Sequence, residues 1–143
     1  MLTVKQLLHV KGRDVWTVGG DATVFEALQL MADKDIGAVL VTDESRVVGI
    51  FSERDYARKV ILHGKSSKET QVREIMTTDV ITVHPDQTIA HCMALMTNKR
   101  IRHLPIVEDD QLIGLVSIGD VVKAIIGEQE FMIGQLQQYI AGK

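Results

Sequence analysis

The chain has 143 residues, 45% hydrophobic and 24% charged. That is enough for one compact domain or two small packed halves, and far from the high-charge, low-hydrophobicity signature of disorder. Sixteen Lys and Arg against nineteen Asp and Glu leave a net charge of -3, so no global positive field exists to hold a polyanion, which argues against nucleic acid as a main partner. The single cysteine, Cys92, can make neither an intramolecular disulfide nor a multi-thiolate zinc site, which fits a reducing, cytoplasmic compartment.

Residues 3–11 interrupt their apolar positions with Lys5, Gln6, His9 and Lys11. No signal-peptide core is expected there, and the spacing suits a short amphipathic helix. The longest apolar stretches, 37–41 and 47–51, are strand-sized and well short of the roughly 18 residues of a membrane helix, so no membrane partner is expected.

From residue 15 onward the sequence repeats itself at one constant offset, 15–60 aligning without a gap on 80–125. Thr17 falls on Thr82, Asp21 on Asp86, Leu30-Met31 on Leu95-Met96, Gly49 on Gly114, Ser52 on Ser117 and Asp55 on Asp120. A supersecondary unit built twice can pack about a pseudo-two-fold axis. In each unit an extended segment (15–18; 80–83) precedes Asp21 or Asp86, a suitable N-cap. The helix that follows is apolar at Val24, Ala27, Leu28 and Met31, and at Ile89, Cys92, Met93 and Met96, the spacing of one buried helical face.

Two strand-like runs follow, joined by Asp43-Glu44-Ser45 in one unit and Glu108-Asp109-Asp110 in the other, and a second helix begins at Ser52 or Ser117. The predicted fold class is α+β, with two pseudo-symmetric units of order strand, helix, strand, strand, helix. The expected organisation is a first domain over 12–61, a linker over 62–75, a second domain over 76–127 and a C-terminal helical segment over 128–143. That last segment carries Phe131, Met132, Leu136, Tyr139 and Ile140, more apolar surface than a solvated tail needs, which suggests docking on its own domain or on a second chain.

The candidate chemistry lies at the two strand-to-helix junctions, Gly49-Ile50-Phe51-Ser52-Glu53-Arg54-Asp55 and Gly114-Leu115-Val116-Ser117-Ile118-Gly119-Asp120. A Ser hydroxyl and the free N–H groups of a first helical turn can bind phosphate, while an Asp one turn on can accept from both hydroxyls of a ribose. Glycine ahead of the junction permits close approach of a ligand or backbone. The same residues also spell a capping box, and the spacing alone leaves both readings open.

The duplicated Gly-apolar-x-Ser-x-x-Asp unit resembles a pair of cystathionine-beta-synthase (CBS) domains, over nearly the whole chain. Ser52-Glu53-Arg54-Asp55-Tyr56-Ala57-Arg58-Lys59, Glu74-Ile75-Met76-Thr77 and Arg102-His103-Leu104-Pro105-Ile106 resemble stand-alone bacterial members in particular. The resemblance implies a regulatory module that binds an adenosine-containing ligand such as AMP, ATP or NAD in a central cleft, without catalysis, and that pairs as a homodimer. By position it implies Asp55 and Asp120 on ribose and Ser52 and Ser117 near phosphate. It implies Thr17 and Thr82 at the adenine edge, with Gly37-Ala38 and His103-Leu104-Pro105 as pocket walls.

The halves differ where Arg102-His103 replaces Gly37-Ala38 and where Glu53-Arg54 replaces Ile118-Gly119, so the two sites need not be equivalent. Arg54 and Arg102 can give charge-assisted bonds to phosphate; Arg58 and Arg100 read more simply as solvated surface. No metal cluster and no catalytic cofactor are expected. The rivals are a protein-interaction module with incompetent sites and a small nucleotide-processing enzyme using Asp55 or Asp120 with His103. The latter lacks a base-orienting pair.

Overall fold

Thr23 and Thr88, not Asp21 and Asp86, cap the first helix of each repeat. The Thr23 hydroxyl accepts from Glu26 N–H at 3.1 Å and the Glu26 carboxylate accepts from Thr23 N–H at 3.2 Å, a reciprocal box that an aspartate two residues earlier could not close. The computed structural model describes residues 2–142. Its elements are α1 (Val4–Lys11), β1 (Thr17–Gly19), α2 (Val24–Lys34), β2 (Ala38–Asp43), β3 (Arg46–Ser52), a short helical turn α3 (Glu53–Asp55), α4 (Ile89–Lys99), β4 (His103–Glu108), β5 (Gln111–Ser117) and α5 (Ile118–Ile140). A π-helix, Tyr56–Ile61, prolongs α3, and a 3-10 turn, Val72–Glu74, lies in the linker.

The mixed α+β architecture holds two small sheets. β1 runs parallel to β2, which pairs antiparallel with β3; β4 pairs antiparallel with β5. The strand expected over 80–83 is reduced to a single bridge between Val83 and Ile106. The hairpin turns are also tighter than expected. Only Glu44 and Ser45, and Asp109 and Asp110, stand between the strands, all four with positive φ, the geometry whose twist matches two paired strands. Among the described residues no helix is long and apolar enough to cross a membrane.

The two cores are built by exchange. Val24, Ala27, Met31, Val39, Val41, Phe51 and Val60 of the first repeat pack with Val72 and Ile75 from the linker. Leu104, Ile106, Val116, Ile89, Cys92 and Met96 of the second repeat pack with Val4, Leu7 and Leu8 from α1. Each half is thus completed by the segment that precedes the other, entered through matching bonds: Val4 N–H to the Gln87 carbonyl and Val72 N–H to the Ala22 carbonyl, both 2.8 Å.

Gly49 and Gly114 make room for this exchange and not, as the sequence also allowed, for a ligand. A Cβ on Gly49 would lie 2.4 Å from Met76 Sδ, and one on Gly114 would lie 2.6 Å from Leu8 Cδ2. Cys92 is wholly buried in the second core. Burial, only partly opposed by a backbone hydrogen bond, pushes its thiol pKa up to about 11, which leaves it an inert packing group.

The last element departs from expectation in being continuous. α5 runs through Gly127 without a break and buries only Val121 fully; Glu128 on it accepts from Leu2 N–H at 3.2 Å. Beyond that contact Phe131, Met132, Ile133, Leu136, Tyr139 and Ile140 are exposed.

Candidate ligand-binding cleft

A cleft of about 460 Å³ opens between the two repeats, within the usual size of small-molecule sites. The first repeat lines it with Gly37, Ser52, Glu53, Arg54 and Asp55, the stretch just ahead of the second repeat with Thr77 and Asp79, and the second repeat with Arg100, Arg102 and His103. The strand ends explain the convergence. β3 terminates at Ser52 and β4 begins at His103, so the loop ahead of β4 faces the helix start that follows β3. Arg100 reaches the cleft because α4 ends with that residue in the left-handed conformation, at φ 55°, which turns the chain sharply out of the helix.

Asp55 is the most heavily bonded group there, and it is 6% exposed. One carboxylate oxygen accepts from Ser52 N–H at 3.0 Å and from the Ser52 hydroxyl at 3.1 Å. The other accepts from the Thr77 hydroxyl at 3.2 Å and pairs with the Lys59 ammonium at 3.1 Å. Asp55 N–H in turn donates to Ser52 Oγ at 3.2 Å. The capping box is therefore real, and the same residues line the cleft. Among the described residues no three His, Cys, Asp or Glu side chains gather as a metal ion would require.

The structure brings Gly37, Ser52, Arg54, Asp55, Arg102 and His103 to this one cleft, so that Arg102 and His103 share it with the carboxylate of the opposite repeat. Ala38 and Pro105 lie buried at the starts of β2 and β4, while Thr17 and Thr82 are exposed outside the cleft lining. Ser117, Gly119 and Asp120 open α5, where the Asp120 carboxylate accepts from Ser117 N–H at 2.9 Å and from the Lys11 ammonium. Burial raises the Asp120 pKa, but the Lys11 and Ser117 bonds outweigh it and hold the carboxyl below its ordinary range. His103 is held below the usual histidine range, first by burial and then by the nearby Lys11 and Arg102 charges against the opposing Asp120, so at neutral pH its ring is uncharged.

Lys11, Lys59 and Thr77 were not singled out from the sequence. Lys59 had a signal, standing four residues after Asp55 on one helix; Lys11 and Thr77 reach their carboxylates only through tertiary packing. Arg100, read from sequence as solvated surface, lines the cleft, whereas Arg58 stays outside it.

The CBS domain profile matches this chain twice, at residues 4–62 and 72–127. The mitochondrial CBS domain-containing protein CBSX3 of Arabidopsis thaliana is 39% identical over 98% of this chain and 72% of its own length. A protein with CBS domains from Burkholderia ambifaria superimposes with a TM-score of 0.85 at 52% identity, covering 89% of this chain and 96% of the other. The CBS domain pair of protein MJ0100, solved with 5'-methylthioadenosine and S-adenosyl-L-methionine, superimposes with a TM-score of 0.79 at 27% identity over 90% of this chain and 98% of that one. Two profile matches on two exchanged half-cores, with a cleft between them, place this chain in the CBS domain family as a tandem pair, a regulatory module of the signal-transduction type.

Proposed function

We propose that the Asp55 cleft binds an adenosine nucleotide, with AMP, ATP and NAD as the candidates, and that the protein senses this ligand without transforming it. One observation carries the reading: a carboxylate able to accept from a ribose diol and three guanidinium groups able to meet phosphate line one cleft, and they come from both repeats. A ligand spanning them ties one half to the other, which is what a sensor needs. The adenosine compounds in the MJ0100 pair support the ligand class.

Thermal melting of ligand-free protein against increasing AMP, ATP and NAD tests it. The midpoint should climb with ligand, stabilisation reaching about 2.7 kcal/mol at a hundredfold excess over Kd, and chromatography should recover the ligand unchanged. A flat melting curve for all three would refute the binding, and turnover lost in His103→Ala would favour an enzyme.

The protein also acts, on this reading, as a homodimer. Along α5, Gly119, Val122, Ile126, Gln129, Ile133, Leu136 and Ile140 recur at alternating steps of three and four. Exposure rises from 40% at Val122 to 82% at Ile140. Ile126, Ile133 and Ile140 follow Gly119 at one seam position, and Val122 and Leu136 flank Gln129 at the other; isoleucine opposite leucine with one polar seam residue suits a two-stranded coiled coil. Light scattering should find a dimer for the full chain and a monomer for a chain ending at Gly127; a dimer in both would remove the tail from the interface.

A further inference from the structure

The two carboxylate grips are neutralised differently. Asp55 takes its cation from its own helix: Lys59 stands four residues on, also bonds the Ile75 carbonyl at 3.1 Å, and lies outside the cleft lining. The contact on Asp55 that does face the cleft is the neutral Thr77 hydroxyl. In the second repeat the position of Lys59 is occupied by Ala124, and the cation arrives instead from α1. The linker's helical turn ends at Glu74, short of Met76, whereas α1 continues past the matched Leu8 to Lys11. There the ammonium donates to both Asp120 and the Leu115 carbonyl. Val4, Leu7 and Leu8, packed into the second core, hold α1 in place.

A ribose hydroxyl can replace the Thr77 hydroxyl like for like. To reach Asp120 it must displace an ammonium, exchanging a bond between two charged groups for one from a neutral donor and separating an ion pair. We infer that Lys11 decides which carboxylate grip takes ligand: seated on Asp120 and the Leu115 carbonyl, it closes the second grip, so the chain binds one adenosine ligand, at Asp55. This inference rests on the nucleotide-binding reading above.

Calorimetric titration of AMP into ligand-free full-length wild type, Lys11→Met, Lys11→Gln, Lys11→Arg and Lys11→Met with Asp120→Ala separates the two. The expected stoichiometry per chain is one for wild type, two for Lys11→Met and Lys11→Gln, one for Lys11→Arg, and one again for the double variant. Melting curves identify the folded variants, and either neutral replacement that stays folded suffices. Two ligands on wild type, or one on a folded Lys11→Met or Lys11→Gln, overturn the inference while leaving the binding reading intact. No binding to wild type with one ligand on Lys11→Met supports the role of Lys11 and refutes the Asp55 cleft. No binding to any variant overturns both.

Discussion

Asp55→Ala should weaken AMP and adenosine alike by roughly ten- to a hundredfold, because both carry the ribose hydroxyls and hydrogen bonds to a charged group are worth about 1.5–3 kcal/mol. Arg102→Ala should weaken AMP by a similar factor and leave adenosine nearly untouched, since only the phosphate meets that guanidinium. Asp55→Ala will also lower stability. It removes a cap worth about 0.5–2 kcal/mol and strips Lys59 and the Thr77 hydroxyl of their shared acceptor. Titration of both ligands into the still-folded variants separates the roles. Unchanged affinities with only a lowered melting temperature would mean that Ser52 and Asp55 are a helix cap and nothing more.

Leu8→Ala should cost about 2–5 kcal/mol, the range for removing a buried leucine, although Leu8 stands outside both sequence repeats. The residue is 2% exposed, and its Cδ2 would touch any side chain placed on Gly114. Truncation there opens a cavity under β5 and frees the inner face of α1. The conservative Leu8→Met, which nearly preserves volume, should cost less than about 1.5 kcal/mol. Denaturant unfolding of the three proteins checks it. A Leu8→Ala loss no larger than that of an exposed residue such as Val10 would mean that α1 merely lies on the surface.

What the sequence showed and what it hid follow from locality. The helical faces of Val24, Ala27, Met31 and Ile89, Cys92, Met96 and the caps at Ser52 and Ser117 depend on residues three or four apart, and the structure carries all of them. The offset of the repeat exposed the pairing of the halves for the same reason. Thr23 was passed over because Asp21 is an equally good capping type, and only the Glu26 side chain distinguishes them. The short 80–83 segment looked like a strand because its apolar pattern cannot show that it forms only one bridge. Arg102 and His103 were legible as unusual residues, but no pattern within a repeat could say that they share a cleft with the Asp55 of the other half.

The exchange of segments also bears on how the chain reaches its native state. α1 is made before the second repeat, yet its buried partners extend to Val121, and Lys11 closes on Asp120 across 109 positions. At about 5–20 residues per second, the helix waits several seconds with Val4, Leu7 and Leu8 uncovered. An eight-residue helix is too short to persist alone in water, so it forms when the second repeat arrives to receive it. Contacts of such long range slow folding, but here they also stitch the earlier-made helix to the later-made core. Neither half can finish its interior without a piece delivered from the other side of the sequence, and the two therefore gain and lose structure together.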